Sequence, residues 1–215
     1  MSVFVILLGG PVTVTQRLRQ QIVGARVVAA DGGVAHAGML GLTPELWVGD
    51  LDSVTAEDRA RWSGLAQQVH PAEKDKTDGE LAVDEALLRG ATSLVLVGAL
   101  GGERTDHALL HVMLAHRLSQ AGVACLLTNG IEEAVPLRTG DNRFDLPPGT
   151  RFSVLALDPI RSLSIIGAQW ALSGRAIDAG SSLVLSNSVT GELSLNLSNG
   201  RALLFAHPKD AAQSS

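Results

Sequence analysis

Residues 94–127 read LVLVGALGGERTDHALLHVMLAHRLSQAGVACLL, and this stretch decides the fold. It opens on an apolar run at 94–97 that Gly98 closes, the pattern of a buried parallel strand. Across 105–121 Leu109, Val112, Met113 and His116 recur at three- and four-residue steps, which predicts a helix, and Gly122 ends it. A second apolar run follows at 123–127. Strand, helix and strand in this order make a βαβ unit.

The same alternation extends towards the N-terminus. Apolar runs at 3–8, 26–30 and 46–48 are bounded by Gly or Asp, and helical spacing appears at 15–23, 56–65 and 78–89. Residues 1–129 therefore read as a doubly wound, mostly parallel α/β domain. After residue 130 the texture changes. Pro147-Pro148-Gly149 marks a turn, and short runs at 152–157, 163–166, 183–185, 193–197 and 202–206 are separated by Gly, Asn, Ser or Asp. Leu193-Ser194-Leu195-Asn196-Leu197 alternates apolar and polar, as a half-exposed antiparallel strand does. The expected class is α/β plus all-β, with a small β-sandwich domain over 130–215.

Bulk properties exclude several functions. The net charge of −5 leaves no basic surplus to displace counterions from nucleic acid. Cys125 is the only cysteine, so neither an intramolecular disulfide nor a cysteine-based zinc cluster can form, and its apolar neighbours make it a buried small hydrophobe. The apolar start at 1–8 is too short to cross a bilayer and has no basic residue before it, so no membrane association and a cytoplasmic location are expected.

Four polar clusters fall immediately after predicted strands of the first domain. They are Asp31-Gly32-Gly33, Gly49-Asp50-Leu51-Asp52-Ser53, Asp75-Lys76-Thr77-Asp78-Gly79-Glu80, and the loop from Gly98 through Gly101-Gly102 to Arg104-Thr105-Asp106-His107. In an open α/β sheet the carboxyl ends of the strands form the binding crevice, so clusters distant in sequence can converge. Asp50 and Asp52 are two apart, which puts both carboxylates on one side of an extended segment. Such a pair repels unless a cation lies between, and oxygen-only ligands suit magnesium. The bland alternative makes Asp52 and Asp78 helix caps. The glycine loop lets backbone approach a phosphate before a helix start, and Arg104 can pair two phosphate oxygens. It has neither the Walker lysine nor Gly-x-Gly-x-x-Gly spacing. His111 and His116 read as structural.

In this order and spacing, the four clusters resemble the thiamine pyrophosphokinase family. The second half is similar too, through Gln169-Trp170-Ala171-Leu172 and Leu185-Ser186-Asn187. One departure is Glu103, which stands between the paired glycines and Arg104, where bacterial relatives usually place the arginine directly. The resemblance implies an N-terminal α/β domain, a C-terminal β domain, a homodimer, and transfer of the β- and γ-phosphates of ATP to the hydroxyl of thiamine. It implies Asp50, Asp52 and Asp78 as magnesium ligands, and Arg104 and Asp106 beside them in catalysis. ATP would meet Asp31, Gly32, Gly33, Lys74, Lys76, Thr77, Gly101, Gly102 and Arg104. Thiamine would meet Asp106, His107, Trp170, Ser186 and Asn187, the last three donated across the dimer interface. Trp170 would otherwise be a core tryptophan of the β domain. The rivals are a pyrophosphokinase acting on a pterin alcohol and a non-catalytic nucleotide-binding sensor.

Overall fold

Val5 and Leu7 face one side of the first strand and Phe4 and Ile6 the other, and all four are fully buried. A strand of this kind needs cover on both faces. The computed structural model describes residues 2–51, 54–71 and 75–209, and the chain divides into two units, Met1–Gly130 and Ile131–Ser215.

In the first unit β1 (Val3–Leu7), β2 (Arg26–Ala30), β3 (Leu46–Gly49), β4 (Gln67–Val69), β5 (Ser93–Val97) and β6 (Ala124–Thr128) lie parallel in the order β6-β5-β1-β2-β3-β4. Helices α1 (Gln16–Ile22) and α2 (Ala35–Leu40) cover one face. Their Leu18, Ile22, Ala37 and Leu40 share a core with Val5, Leu7, Val27, Ala29 and Trp47. Helix α4 (Asp78–Leu88) packs on β1, β2 and β3 from the other face, and α5 (Thr105–Gln120) packs on β6. α3 (Ala56–Arg61) lies between β3 and β4 in sequence.

Three expectations change here. The helix at 56–65 ends at Arg61. On α5, Leu109 and Met113 are exposed, and the buried stripe is Val112, Leu114, Ala115 and Leu118 with His111 and His116. Apolar side chains surround this helix, so spacing alone allows more than one buried face. Finally, α2 and β4 carry little periodic signal, because α2 is one and a half turns long with Gly38 inside it and β4 is a polar strand of three residues.

In the second unit all strand pairs are antiparallel: β7 (Glu133–Pro136), β8 (Gly140–Phe144), β9 (Arg151–Ala156), β10 (Ile160–Ala168), β11 (Leu172–Ile177), β12 (Asn187–Leu197) and β13 (Ala202–His207). Strand β12 begins beside β9 at Asn187 and Ser188, then runs between β8 and β10. The two layers enclose Phe152, Val154, Ile165, Leu195, Leu197 and Leu204. The expected strand at 183–185 is instead a 3-10 turn, Ser182–Val184. The Ser181 hydroxyl accepts from the Leu183 amide at 3.3 Å and closes this turn, which buries only Val184.

Candidate active site

The chain leaves β1 towards β2 and re-enters the sheet at β5 on the other side of β1. Such a reversal opens a crevice beyond the strand ends. Gly10 follows β1 and Gly98 follows β5, and the two loops touch through their backbones. A Cβ on Gly10 would overlap the Gly98 carbonyl, and one on Gly98 would overlap that of Leu8. Glycine at both positions lets the loops approach this closely. They bound a cleft of about 820 Å³ that Asp31, Asp78, Gly101, Gly102, Arg104 and His107 also line.

Three carboxylates meet here from three separate turns. Asp31 follows β2, Asp50 follows β3, and Asp78 opens α4; one oxygen from each lies within 4.8 Å of the others, and all three residues are half-buried. Gly49 sits under this group with φ +147°. A Cβ there would come within 3.2–3.3 Å of Asp31 Cβ, Asp31 Cα and Asp78 Cγ. Asp31 has φ 44° and Leu51 has φ 62°, both in the left-handed region that non-glycine residues seldom occupy. Trp47 Nε1 donates to the Asp31 carbonyl at 2.9 Å, and an Arg59 guanidinium N–H donates to the Leu51 carbonyl. The family resemblance assigns Asp31 to ATP; the structure brings its carboxylate to those of Asp50 and Asp78. An all-carboxylate oxygen set fits magnesium. Asp52 and Lys74 lie outside the described residues.

Asp78 is not a helix cap. Thr77 is the N-cap of α4: its hydroxyl accepts from the Glu80 amide at 3.3 Å, while Glu80 Oε2 accepts from the Thr77 amide at 3.5 Å. This capping box occupies the Thr77 hydroxyl and fixes where the next residue, Asp78, begins the helix. Lys76 points to Asp84 at 2.5 Å, and neither Lys76 nor Thr77 lines the cleft. Gly33 is buried, and a Cβ on it would overlap the Leu7 carbonyl, so it serves packing beneath Gly32.

Arg104 and Asp106 form an exposed, two-pronged ion pair before the first full turn of α5. The Arg104 guanidinium holds the Asp106 carboxyl well below the usual carboxylate range. Asp106 therefore makes a poor proton acceptor while this pair persists.

Two histidines brace the glycine loops, and sequence reading had given neither a place in the site. His36 Nε2 donates to the Gly10 carbonyl at 2.8 Å, and His111 Nδ1 to the Ala99 carbonyl at 3.0 Å. Burial pushes both imidazoles below their ordinary value. Leu8-Gly9-Gly10-Pro11 directly after the first strand was the available signal for the first loop.

In the second unit Trp170 is 57% exposed, so it is not a core tryptophan. Asn187 is buried, and its side-chain oxygen accepts from the Trp170 amide at 3.1 Å while its Nδ2 donates to the Trp170 carbonyl at 2.8 Å. The same oxygen accepts from the Ser188 amide at 2.8 Å. This amide holds Trp170 in place, which leaves it little capacity for a ligand. Ser186, at φ 58°, donates its backbone amide to Ser153 Oγ at 3.0 Å.

Comparison with known proteins agrees with this geometry. Residues 22–127 match the family model described as thiamin pyrophosphokinase, catalytic domain. Thiamine pyrophosphokinase from Bacillus subtilis (strain 168) is 27% identical over 164 residues, covering 74% of this chain and 76% of that protein. The crystal structure of a thiamine pyrophosphokinase from Bacillus subtilis superposes with a TM-score of 0.85 at 23% identity, over 97% of this chain and 100% of the other. That of the Geobacillus thermodenitrificans enzyme gives 0.79 at 25% identity, over 98% and 99%. The matched segment runs through every acidic turn and both ends of the βαβ unit that carries Arg104, and over this segment and in its fold the chain is similar to the thiamine pyrophosphokinases.

Proposed function

We propose that this chain transfers the pyrophosphoryl group of ATP to the hydroxyl of thiamine, giving thiamine diphosphate and AMP, with magnesium as its cofactor. The observation that carries this reading is the meeting of Asp31, Asp50 and Asp78 beside a cleft walled by glycine loops. Carboxylates from separate turns, with oxygens within 4.8 Å of one another beside such a cleft, suit a ligand that brings divalent metal and polyphosphate together.

The hydroxyl oxygen attacks the β-phosphorus in line, the bond from that phosphorus to the oxygen of the α-phosphate breaks, and AMP leaves with that oxygen. Asp31, Asp50 and Asp78 would hold magnesium, which when bound neutralises charge on the phosphates. Backbone at Gly101 and Gly102 and the N-terminus of α5 face the phosphates, and Arg104 pairs with their oxygens. The proton of the hydroxyl passes to a carboxylate, and Asp106 serves once Arg104 has turned from it to the phosphates. An exposed indole at Trp170 offers a π face to the thiazolium cation.

The enzyme works in the cytoplasm, where ATP and magnesium are at hand; no helix among the described residues is long and apolar enough to cross a membrane. Exposed Ile166, Leu183 and Leu185 in the β unit support a homodimer, which light scattering on the purified protein would test. For the activity, the purified protein is incubated with ATP, magnesium and thiamine. AMP and thiamine diphosphate should appear in equal amounts and only with all three. Release of ADP, or no dependence on thiamine, would end this reading.

A further inference from the structure

Trp47 is fully buried, and its ring belongs to the core between the sheet and helices α1 and α2. Packing alone would not require its one polar atom to be spent on Asp31. Yet Nε1 donates to the Asp31 carbonyl at 2.9 Å, across sixteen residues of sequence. That carbonyl belongs to a residue at φ 44°, a conformation that persists only where surrounding structure holds it. Asp31 Cα and Cβ lie against Gly49, two residues beyond Trp47 on the same strand end. One short segment thus holds Asp31 from two sides. Trp47 fixes its carbonyl, and Gly49 leaves space for its side chain to reach Asp50 and Asp78.

We infer that Trp47 is a positioning residue of the acidic site, holding Asp31 in the left-handed turn that presents its carboxylate to a divalent cation. This rests on the metal-dependent reading above, and the test separates the two. Mn2+ serves as the probe, its binding to the unliganded protein followed by electron paramagnetic resonance, with no turnover involved. Trp47→Phe keeps most of the ring and removes the donor. Replacing Trp47 by 3-benzothienylalanine keeps the bicyclic shape and removes the same donor, which guards against a folding defect in the first variant.

Both changes should raise the Mn2+ dissociation constant by about three- to tenfold, the range of one hydrogen bond. In an Asp31→Asn background neither should raise it further, because the route through Asp31 is already cut. Unchanged Mn2+ binding with only a lowered melting temperature would overturn the inference and leave Trp47 a core residue. So would an equal further loss in the Asp31→Asn background. If Asp78→Asn also left Mn2+ binding unchanged, the cation site itself would fall, and the Trp47 assignment with it.

Discussion

Arg104 clasps Asp106 with Nε 3.0 Å from Oδ1 and Nη2 2.8 Å from Oδ2, so the guanidinium proposed to meet phosphate is already paired with a carboxylate two residues further along the chain. Both side chains are exposed, and water screens such a pair strongly. In the proposed reaction, incoming phosphate takes the guanidinium from Asp106 at small cost, and the exchange frees the carboxylate when ATP binds. Asp106→Asn removes the competitor. It should tighten binding of a non-hydrolysable ATP analogue by about two- to fivefold, the scale of an exposed ion pair, while lowering turnover. Arg104→Lys should weaken the analogue, because a point charge loses the fork geometry. Calorimetric titration reads both, and unchanged affinity in Asp106→Asn would mean that no exchange occurs.

Gly49→Ala should damage fold and activity together. The new Cβ would press on Asp31 and Asp78, and φ of +147° is strained for any L side chain. A loss of about 1–3 kcal/mol in denaturant unfolding is expected from the backbone alone. Cation binding should weaken as well, since the two carboxylates must move apart. A variant with full stability and normal Mn2+ affinity would contradict the crowding seen at this glycine.

Asp78→Asn should keep the fold, because the cap of α4 is Thr77 with Glu80 and not Asp78. Circular dichroism should be unchanged. Turnover should fall by about two orders of magnitude, as the loss of one charge-stabilising group often costs, and should recover only in part at high magnesium. A full rate at limiting magnesium would remove Asp78 from the metal set.

The acidic turns were legible because Gly and Asp break apolar runs where strands end, and a parallel sheet brings those ends to one edge. Asp31 and Asp50 meet for that reason, and Asp78 joins them from the first residue of α4. What could not be read were contacts between residues far apart in sequence. Nothing near Trp47 announces that its N–H ends on Asp31, and nothing near Asn187 announces that its amide is used up on Trp170. Only the family resemblance implies Asn187 at the thiamine site; from the residues alone it reads as a turn residue between strands. Exposed Leu109 and Met113 on α5 were equally hard to read, in a helix whose apolar residues point in too many directions to single out one face.

Stability should fall as the pH drops below neutrality. Burial lowers the imidazoles of His36 and His111, so the folded state stays neutral where the unfolded chain, at about pH 6.5, begins to take up protons. Above that pH both states are neutral and nothing is lost. Below it the unfolded state binds more protons, so unfolding free energy declines until the folded imidazoles themselves titrate. Urea unfolding at pH 7.5 and 5.5 measures the loss. The pair His36→Gln and His111→Asn keeps an N–H donor near each loop and should flatten the dependence. An equally steep decline in that double variant would assign it to other groups.

Trp170 gives the clearest division between a packing role and a ligand role. The residue is 57% exposed, yet its backbone is fixed on both sides by the buried Asn187 amide. An exposed indole on a rigid mount costs little entropy when it meets a flat cation. A cation–π contact contributes about 0.5–2 kcal/mol, so Trp170→Ala should raise the thiamine KM by about two- to thirtyfold. The ATP KM should hold, since no phosphate-facing residue is touched. The melting temperature should also hold, because exposed side chains away from such contacts seldom shift stability by more than about 0.5 kcal/mol. Asn187→Ala should act differently. It leaves the Trp170 and Ser188 amides without their acceptor, so the melting temperature should drop and thiamine binding should weaken with it. If Trp170→Ala instead lowers the melting temperature and leaves the thiamine KM unchanged, the indole serves the β unit alone.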